Sequence, residues 1–448
     1  MTAGMIGCSA SGRRDWAVAL ASYAPAVVQR YDVAVIGAGG AGQLLLLALA
    51  CADLDIRVAV VDPVTRTGHD RTWCWWGAGA GIAEAAVDSS WRHLRVAGGG
   101  SPEVVLDLDP LRYRLIRSPD LYRLVGERVA AARRLRVDRY EAAAADDVRG
   151  AGEEVAFTVA GEALSASWVF DSRPAPPVSG GRVHWRQQFL GWVLPAQAVP
   201  DVGEVPFLMD FRTRQPTAGL SFGYCLPMRD RTVLVEYTEF SPEIMTDAAA
   251  TAALLDYLRL LGVAGDVRID AVAPGAVTPG AVPSHVERGS IPMTDARFAR
   301  RAGERVFRLG TAGGATRGST GYTFAAMIRQ AEAVAAALAV GRVPAPPPAY
   351  PSRHRWMDAV MLRALDDRLV DGPAFFRQLF RRQPIERVLR FLDGASTRGE
   401  DLAIMASAPL PAMTRAAVLT ALAPWQSAAR NARNAQAAPS SSRVSRRG

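Results

Sequence analysis

The period of apolar and polar positions changes along the chain, and the changes divide it. From Tyr31 to Ile36 the run YDVAVI is continuously apolar, as a strand buried on both faces requires. The glycine-rich turn GAGGAG follows at once. Gln43 to Ala52, rich in leucine and alanine, reads as a helix, and Arg57 to Val61 as a second buried strand ending at Asp62. Strand, turn, helix and strand in this order make a βαβ unit. Past residue 90 the pattern becomes alternating, as in EVAFTVA and ALSASWVFDSR, with Gly, Pro and Asp between the runs. SFGYCLPMRDRTVLVEYTEF predicts two strands joined near Arg229 to Arg231, and Ser241-Pro242-Glu243 a capped helix start running through Leu261.

At Val306 the first pattern returns. VFRLG reads as a strand, TAGGATRGSTG as a second glycine-rich loop, and Tyr322 to Val340 as an alanine-rich helix. A proline-rich linker at 344 to 351 then breaks the chain. The reading is α/β: a Rossmann-type nucleotide-binding domain with an inserted antiparallel β-sheet substrate domain and C-terminal helices. Its segments are an N-terminal extension (1–30), a Rossmann segment (31–90), the largely β-sheet insertion (91–300), a second ligand-contacting segment (301–343), a helical region (344–425) and a disordered tail (426–448).

Composition narrows the classes. Hydrophobic residues make up 49% and charged residues 21% of the 448 positions, which excludes a disordered chain and allows a large core. The excess of +8 is carried by arginine alone, scattered until the C-terminal third and without zinc-finger or RNP-like spacing, so nucleic acid is not an expected partner. Cys8, Cys51, Cys74 and Cys225 show no CxxC spacing, which fits a reducing, cytoplasmic location. His69, His93, His184, His285 and His354 lack metal-ligand spacing, and no metal site is expected. No apolar run reaches the roughly 18 residues a membrane span needs, so any membrane contact is expected to be peripheral.

Gly37, Gly39 and Gly42 form GxGxxG between strand and helix, with Asp62 beyond them at the end of the second strand. In that motif the first glycine permits the turn, the second lets a pyrophosphate approach the backbone, and the third lets helix pack on strand. The acid accepts hydrogen bonds from a ribose. NAD and FAD share this fingerprint, and the second loop, with Gly310, Gly313 and Gly314, points to FAD, because many flavoproteins bring the chain back across the ribityl and isoalloxazine in this way; the bland alternative is a plain helix N-terminus. Thr311 stands where many flavoproteins carry Asp.

Several segments in order then resemble a known family: DRTWCWWG (70–77), QQFLGW (187–192), FLMDFRT (207–213), SFGYCLPM (221–228), VLVEYTEF (233–240), GSIPMTD (289–295) and GTAGGATRGSTGYTF (310–324). Together they resemble the bacterial lycopene beta-cyclases from about Tyr31 to about Met413. The resemblance implies an FAD enzyme that converts lycopene to beta-carotene by way of gamma-carotene, its flavin reduced by NAD(P)H and no net redox change. It also implies that Glu236, in the E-x-T segment, is the essential acid. Which acyclic carotenoid is used, whether one or both ends are cyclised, and the oligomeric state stay open.

That chemistry fits the residue. Proton addition to an alkene needs an acid kept protonated in a desolvated pocket. Alternation sets Glu236 on one strand face with Leu234 and Thr238, and Val233, Val235 and Tyr237 on the other; the bland alternative is an edge-strand glutamate in water. Trp73, Trp75, Trp76, Trp185 and Trp192 could shield a cation or be simple core. Asp210 either bonds Glu236 or pairs with Arg212, and Asp171 either borders the flavin or ends a strand. Phe375, Phe376, Leu379 and Phe380 beside Arg377, Arg381 and Arg382 spell an interfacial helix for anionic membrane lipid, or a helix packed on the body. The rival functions are an FAD-dependent monooxygenase or reductase acting on an apolar isoprenoid, and a non-catalytic carotenoid carrier.

Overall fold

The apolar run around Tyr31 forms the strand Gln29–Ile36, whose last four residues are buried. It continues through the glycine turn into the helix Gly40–Cys51, buried on almost every side, and then into the strand Arg57–Asp62. The computed structural model describes residues 29–79, 81–98, 101–175, 180–263 and 283–422. The expected extension, apart from its last two residues, and the expected tail therefore lie outside the described residues.

Two large sheets organise the chain. The first has eight strands, with a parallel centre in the order Val306–Arg308, Glu162–Asp171, Gln29–Ile36, Arg57–Asp62, Arg136–Glu141. One face packs on the helices Gly40–Cys51 and Phe324–Ala339, and the other is covered by a separate apolar cluster around Phe157 and Val169. This double covering explains the unbroken apolar runs. The second sheet has seven strands, in the order His285–Thr294, His184–Pro195, Thr232–Ser241, Leu220–Pro227, Phe207–Phe211, His93–Gly98, Ser101–Asp107. All its pairs are antiparallel except Phe207–Phe211 with His93–Gly98.

Alternation alone misassigned part of the insertion. The interval 91–300 does not form one sheet domain: Arg136–Glu141, Ala145–Ala151, Glu154–Val159 and Glu162–Asp171 all join the nucleotide-type sheet. Alternation reports a half-buried strand but not its partner. The expected hairpin is present, with Leu220–Pro227 and Thr232–Ser241 paired in register. The helix expected from Ser241 begins later, at Asp247, because Ser241 is still a ladder residue opposite Arg186. Thr246 is the cap instead, its hydroxyl oxygen accepting the Ala249 N–H at 3.2 Å.

The seven-stranded sheet separates two cores. Val233, Val235 and Tyr237 face the helix Asp247–Leu260, while Leu234 faces the cluster shared with the C-terminal helices. Those helices are pinned to the second glycine loop by Arg317, which has no exposed surface and donates to Asp358 at 2.9 Å and to the Phe391 carbonyl at 2.9 Å. The phenylalanine-rich helix Gly372–Arg382 belongs to this layer. Phe376, Leu379 and Phe380 are buried, with Phe376 stacked on Phe211, so that face is not available to lipid and the interfacial reading of it is corrected. Among the described residues no single helix is long and apolar enough to cross a membrane.

Candidate active site

A cavity of about 480 Å³ lies between the two sheets. One wall is backbone. Gly39, Gly40 and Ala41 from the first loop and Gly310 and Thr311 from the second line it, with Thr323, Phe324 and Met327 from the start of the following helix. The helix Gly40–Cys51 opens with no side-chain cap and no acid in its first turn, which leaves its N-terminus free for an anion. A Cβ at Gly39 would meet nothing within 4 Å, whereas one at Gly42 would stand 2.1 Å from the Gly37 carbonyl oxygen. The motif glycines thus divide their work: Gly39 leaves open space where a phosphate would pass, and Gly42 allows the helix to close on the strand.

Asp62 sits beside this loop at the edge of a second cavity of about 230 Å³, which Gln43, Tyr122 and Arg139 also line. Its carboxylate accepts the Ala38 N–H at 2.5 Å, the Val64 N–H at 2.8 Å and the Arg66 guanidinium at 3.3 Å. These bonds lock the acid against the loop; its remaining lone pairs are what a ribose hydroxyl would use. Of Gly310, Gly313 and Gly314 only Gly310 lines the main cavity, which Gly321 at the end of the same loop also lines. Gly313 and Gly314 shape the turn: a Cβ at Gly313 would stand 2.4 Å from the Arg308 carbonyl oxygen, and Gly314 has φ +78°. The paired cavities and bare backbone fit a dinucleotide running from Asp62 past Gly39 toward Gly310.

The opposite wall is the face of the seven-stranded sheet. Gln187, Phe189, Tyr224, Leu226, Leu234, Glu236, Glu287, Gly289 and Ile291 project from four neighbouring strands. Glu236 lies among them, 8% exposed, so the solvated alternative is removed. Its Oε1 accepts the Thr238 hydroxyl at 2.6 Å. Burial, with the Glu287 charge second, pushes its carboxyl up to about 8, against the smaller opposing effect of the Thr238 bond. It therefore carries a proton at neutral pH.

The other candidates separate cleanly. Trp73 lines the cavity beside Gly40, whereas Trp76 donates to the Leu389 carbonyl and Trp185 to Asp366, both as core. Trp192 is buried in the core beneath the helix Asp247–Leu260. Asp210 has no exposed surface and binds Arg212 through both oxygens, with the Tyr257 hydroxyl at 3.3 Å. It is a structural ion pair. Asp171 likewise pairs with Arg173 at the end of its strand. Among the described residues no group of His, Cys, Asp and Glu is placed to hold a metal ion.

Sequence reasoning missed Glu287. It is 3% exposed and lines the cavity. In the segment HVERGSIP it stands beside Arg288 and reads as part of a solvated edge. Alternation with Gly289 and Ile291 was the available signal, but only the sheet shows that this face is covered.

Comparison with known proteins follows this geometry. The profile of the family described as "Lycopene cyclase protein" matches residues 32–418. A search of curated sequences finds no match. Among solved structures, a flavoprotein/dehydrogenase from Cytophaga hutchinsonii is 10% identical, covering 88% of this chain and 100% of its own, with TM-score 0.56. A geranylgeranyl bacteriochlorophyll reductase-like protein from Thermoplasma acidophilum is 11% identical, over 87% and 98%, with TM-score 0.54. The p-nitrophenol 4-monooxygenase of Pseudomonas putida is 15% identical, over 88% and 98%, with TM-score 0.52. At such identities the likeness is one of fold, and it is to Rossmann-type oxygenase and reductase folds. With a profile match across most of its length and an acid buried in the sheet wall facing a nucleotide-type loop, the chain belongs to the lycopene cyclase family.

Proposed function

We propose that the chain is an FAD-dependent lycopene beta-cyclase, closing lycopene ends to beta rings and giving gamma-carotene and then beta-carotene. The observation that carries this reading is Glu236: a buried, protonated carboxyl on the sheet wall, facing a cavity bounded by both glycine loops. An alkene is a very poor base, so its protonation requires an acid held neutral and close, where the carboxyl need not also be recovered from water. Glu236 delivers a proton to the terminal double bond, and the next double bond attacks the tertiary cation to form the ring. Loss of a proton from the ring restores neutrality. Trp73, Phe189 and Phe324 wall the cavity with aromatic rings, which keep water from trapping the cation and stabilise positive charge through their faces.

Gly39, Gly310 and Asp62 would hold the FAD. Reduced by NAD(P)H, the flavin would supply negative charge beside the cation without net redox change. Lycopene dissolves in bilayers, so the reading includes peripheral contact of a cytoplasmic enzyme with a membrane. The side chains that support it are Leu402, Met405, Leu410 and Val418, exposed near the end of the described chain. Flotation with liposomes tests that part, and protein left at the bottom of the gradient at low salt removes it.

Expression in lycopene-accumulating cells, with the pigments resolved by chromatography, tests the reaction. Cyclised carotene is the expected product. Oxygenated or reduced carotenoid formed with matching NAD(P)H consumption would make the chain a redox enzyme like its fold neighbours, and bound but unchanged lycopene would make it a carrier.

A further inference from the structure

A cyclisation that starts with one proton must end by giving one up, and the cavity holds a second carboxyl for which the reading above has no use. Glu287 and Glu236 do not lie on adjacent strands. Gly191, on the strand between them, is opposite both, and Tyr224 extends the same row on the far side of Glu236. Neighbouring strands are about 4.8 Å apart, so the two acids stand on one face across a single empty position. A Cβ at Gly191 would lie 3.0 Å from Leu234 Cδ1 and 3.3 Å from Glu236 Cβ, and its absence keeps the gap between the acids open. Glu287 Oε1 accepts the Thr72 N–H at 2.8 Å, while its Oε2 is buried without a hydrogen-bond partner. A buried carboxyl oxygen without a partner is costly and unusual, and here it belongs to a residue of the cavity wall.

We propose that Glu287 is the base of this site: it takes the proton that leaves the ring cation, while Glu236 supplies the proton that starts the reaction. The proposal rests on the cyclase reading. The Glu236 O–H bond breaks as a C–H bond forms at the alkene, and the π pair of the second alkene makes the ring bond. A ring C–H bond then breaks, its electron pair becomes the ring double bond, and its proton goes to Glu287 Oε2. One proton returning across the Gly191 gap resets both acids, with nothing else consumed.

The surroundings push the two carboxyls apart in the required sense. Burial raises both. Glu236 has only the Thr238 hydroxyl to oppose this, whereas Glu287 is held back by Thr72 and by the Arg71 charge, with Asp70 opposing weakly. Glu287 therefore ionises first, and its charge helps to keep Glu236 protonated. Other titratable groups face the pair: Cys74, Tyr113, Tyr224 and Tyr322 are pushed up by burial and stay neutral. His69, pushed down to about 4, stacks on His285, which is also lowered by burial, so neither carries charge at neutral pH.

The test is the pH profile of lycopene cyclisation in liposomes for wild type, Glu287→Gln and Glu287→Asp, at matched flavin content. The wild-type profile is expected to be a bell. Glu287→Gln should fall by roughly a hundredfold to ten-thousandfold, lose the acidic limb, and move its alkaline limb to lower pH because the charge that raises Glu236 is gone. Glu287→Asp should recover part of the rate and keep an acidic limb. Wild-type rate in Glu287→Gln, or an equal loss at every pH with both limbs unmoved, overturns the proposal. If Glu287→Gln fails to fold or to hold flavin, Glu287→Asp decides: an acidic limb unmoved from wild type overturns the proposal, and a shifted one supports it. A wild-type protein that does not cyclise lycopene would refute the cyclase reading itself, which keeps the two failures distinct.

Discussion

The two sheets meet the cavity with different chemistry. The nucleotide-type sheet offers backbone: Gly39, Gly40 and Gly310, and a helix start without a cap. The seven-stranded sheet offers side chains, and each comes from a different strand: Tyr224, Glu236, Glu287 and, by absence, Gly191. A backbone site needs only small residues at a few adjacent positions. A side-chain site needs correct register between strands far apart in sequence, because a slip of one residue would turn every one of these groups to the opposite face. The buried carboxyl is thus prepared by the fold around it, while the bare backbone of the glycine loop is prepared by a local turn.

The sharpest test of this division is Glu236→Gln. The amide keeps the shape of the acid but has no proton to give an alkene, so cyclisation should fall by more than about ten-thousandfold with flavin content unchanged. Beta-carotene at near wild-type level from lycopene-accumulating cells would remove Glu236 as the acid. Gly39→Val probes the other wall. Because the space at Gly39 is open, the protein should fold normally yet lose flavin affinity by about a hundredfold or more, read by flavin absorbance after gel filtration. Full absorbance would mean that the loop has been misread.

A smaller effect concerns stability. The folded carboxyl of Glu236 titrates near 8 and the unfolded one near 4.5, so the native state binds the extra proton between these values. Stability contributed at this site is therefore present at low pH and is lost as pH rises through that window. Glu236→Gln escapes the loss, and its melting temperature should match wild type near pH 5 and exceed it near pH 9, by an advantage on the order of a few kcal/mol. Equal pH dependence in the two proteins would show that the carboxyl is not held protonated. Smallest of all, Glu239→Gln should change activity by less than about twofold, since Glu239 lies on the other strand face, bonded to the Tyr237 hydroxyl at 3.0 Å. A large loss there would mean that the faces are assigned wrongly.

The sequence by itself determined the glycine-turn end of this protein, and the family resemblance of its motifs singled out Glu236 as the candidate acid. YDVAVI, GAGGAG and the strand ending at Asp62 are contiguous, and their fold follows from local turn geometry and apolar runs, so no distant residue is needed to read them. Alternation likewise assigned the faces of VLVEYT correctly, because period two is a property of one strand. Only the tertiary structure decided where each strand went. It put Glu154–Val159 with the nucleotide-type sheet, turned Phe376 and Phe380 inward, and set Asp210 against Arg212 rather than Glu236. It also brought Glu287 into the row of Glu236, across a glycine nearly a hundred residues away. Pairing partner, register and the covering of a face are long-range quantities, settled by which apolar surfaces meet when the whole chain packs, and a local pattern does not contain them.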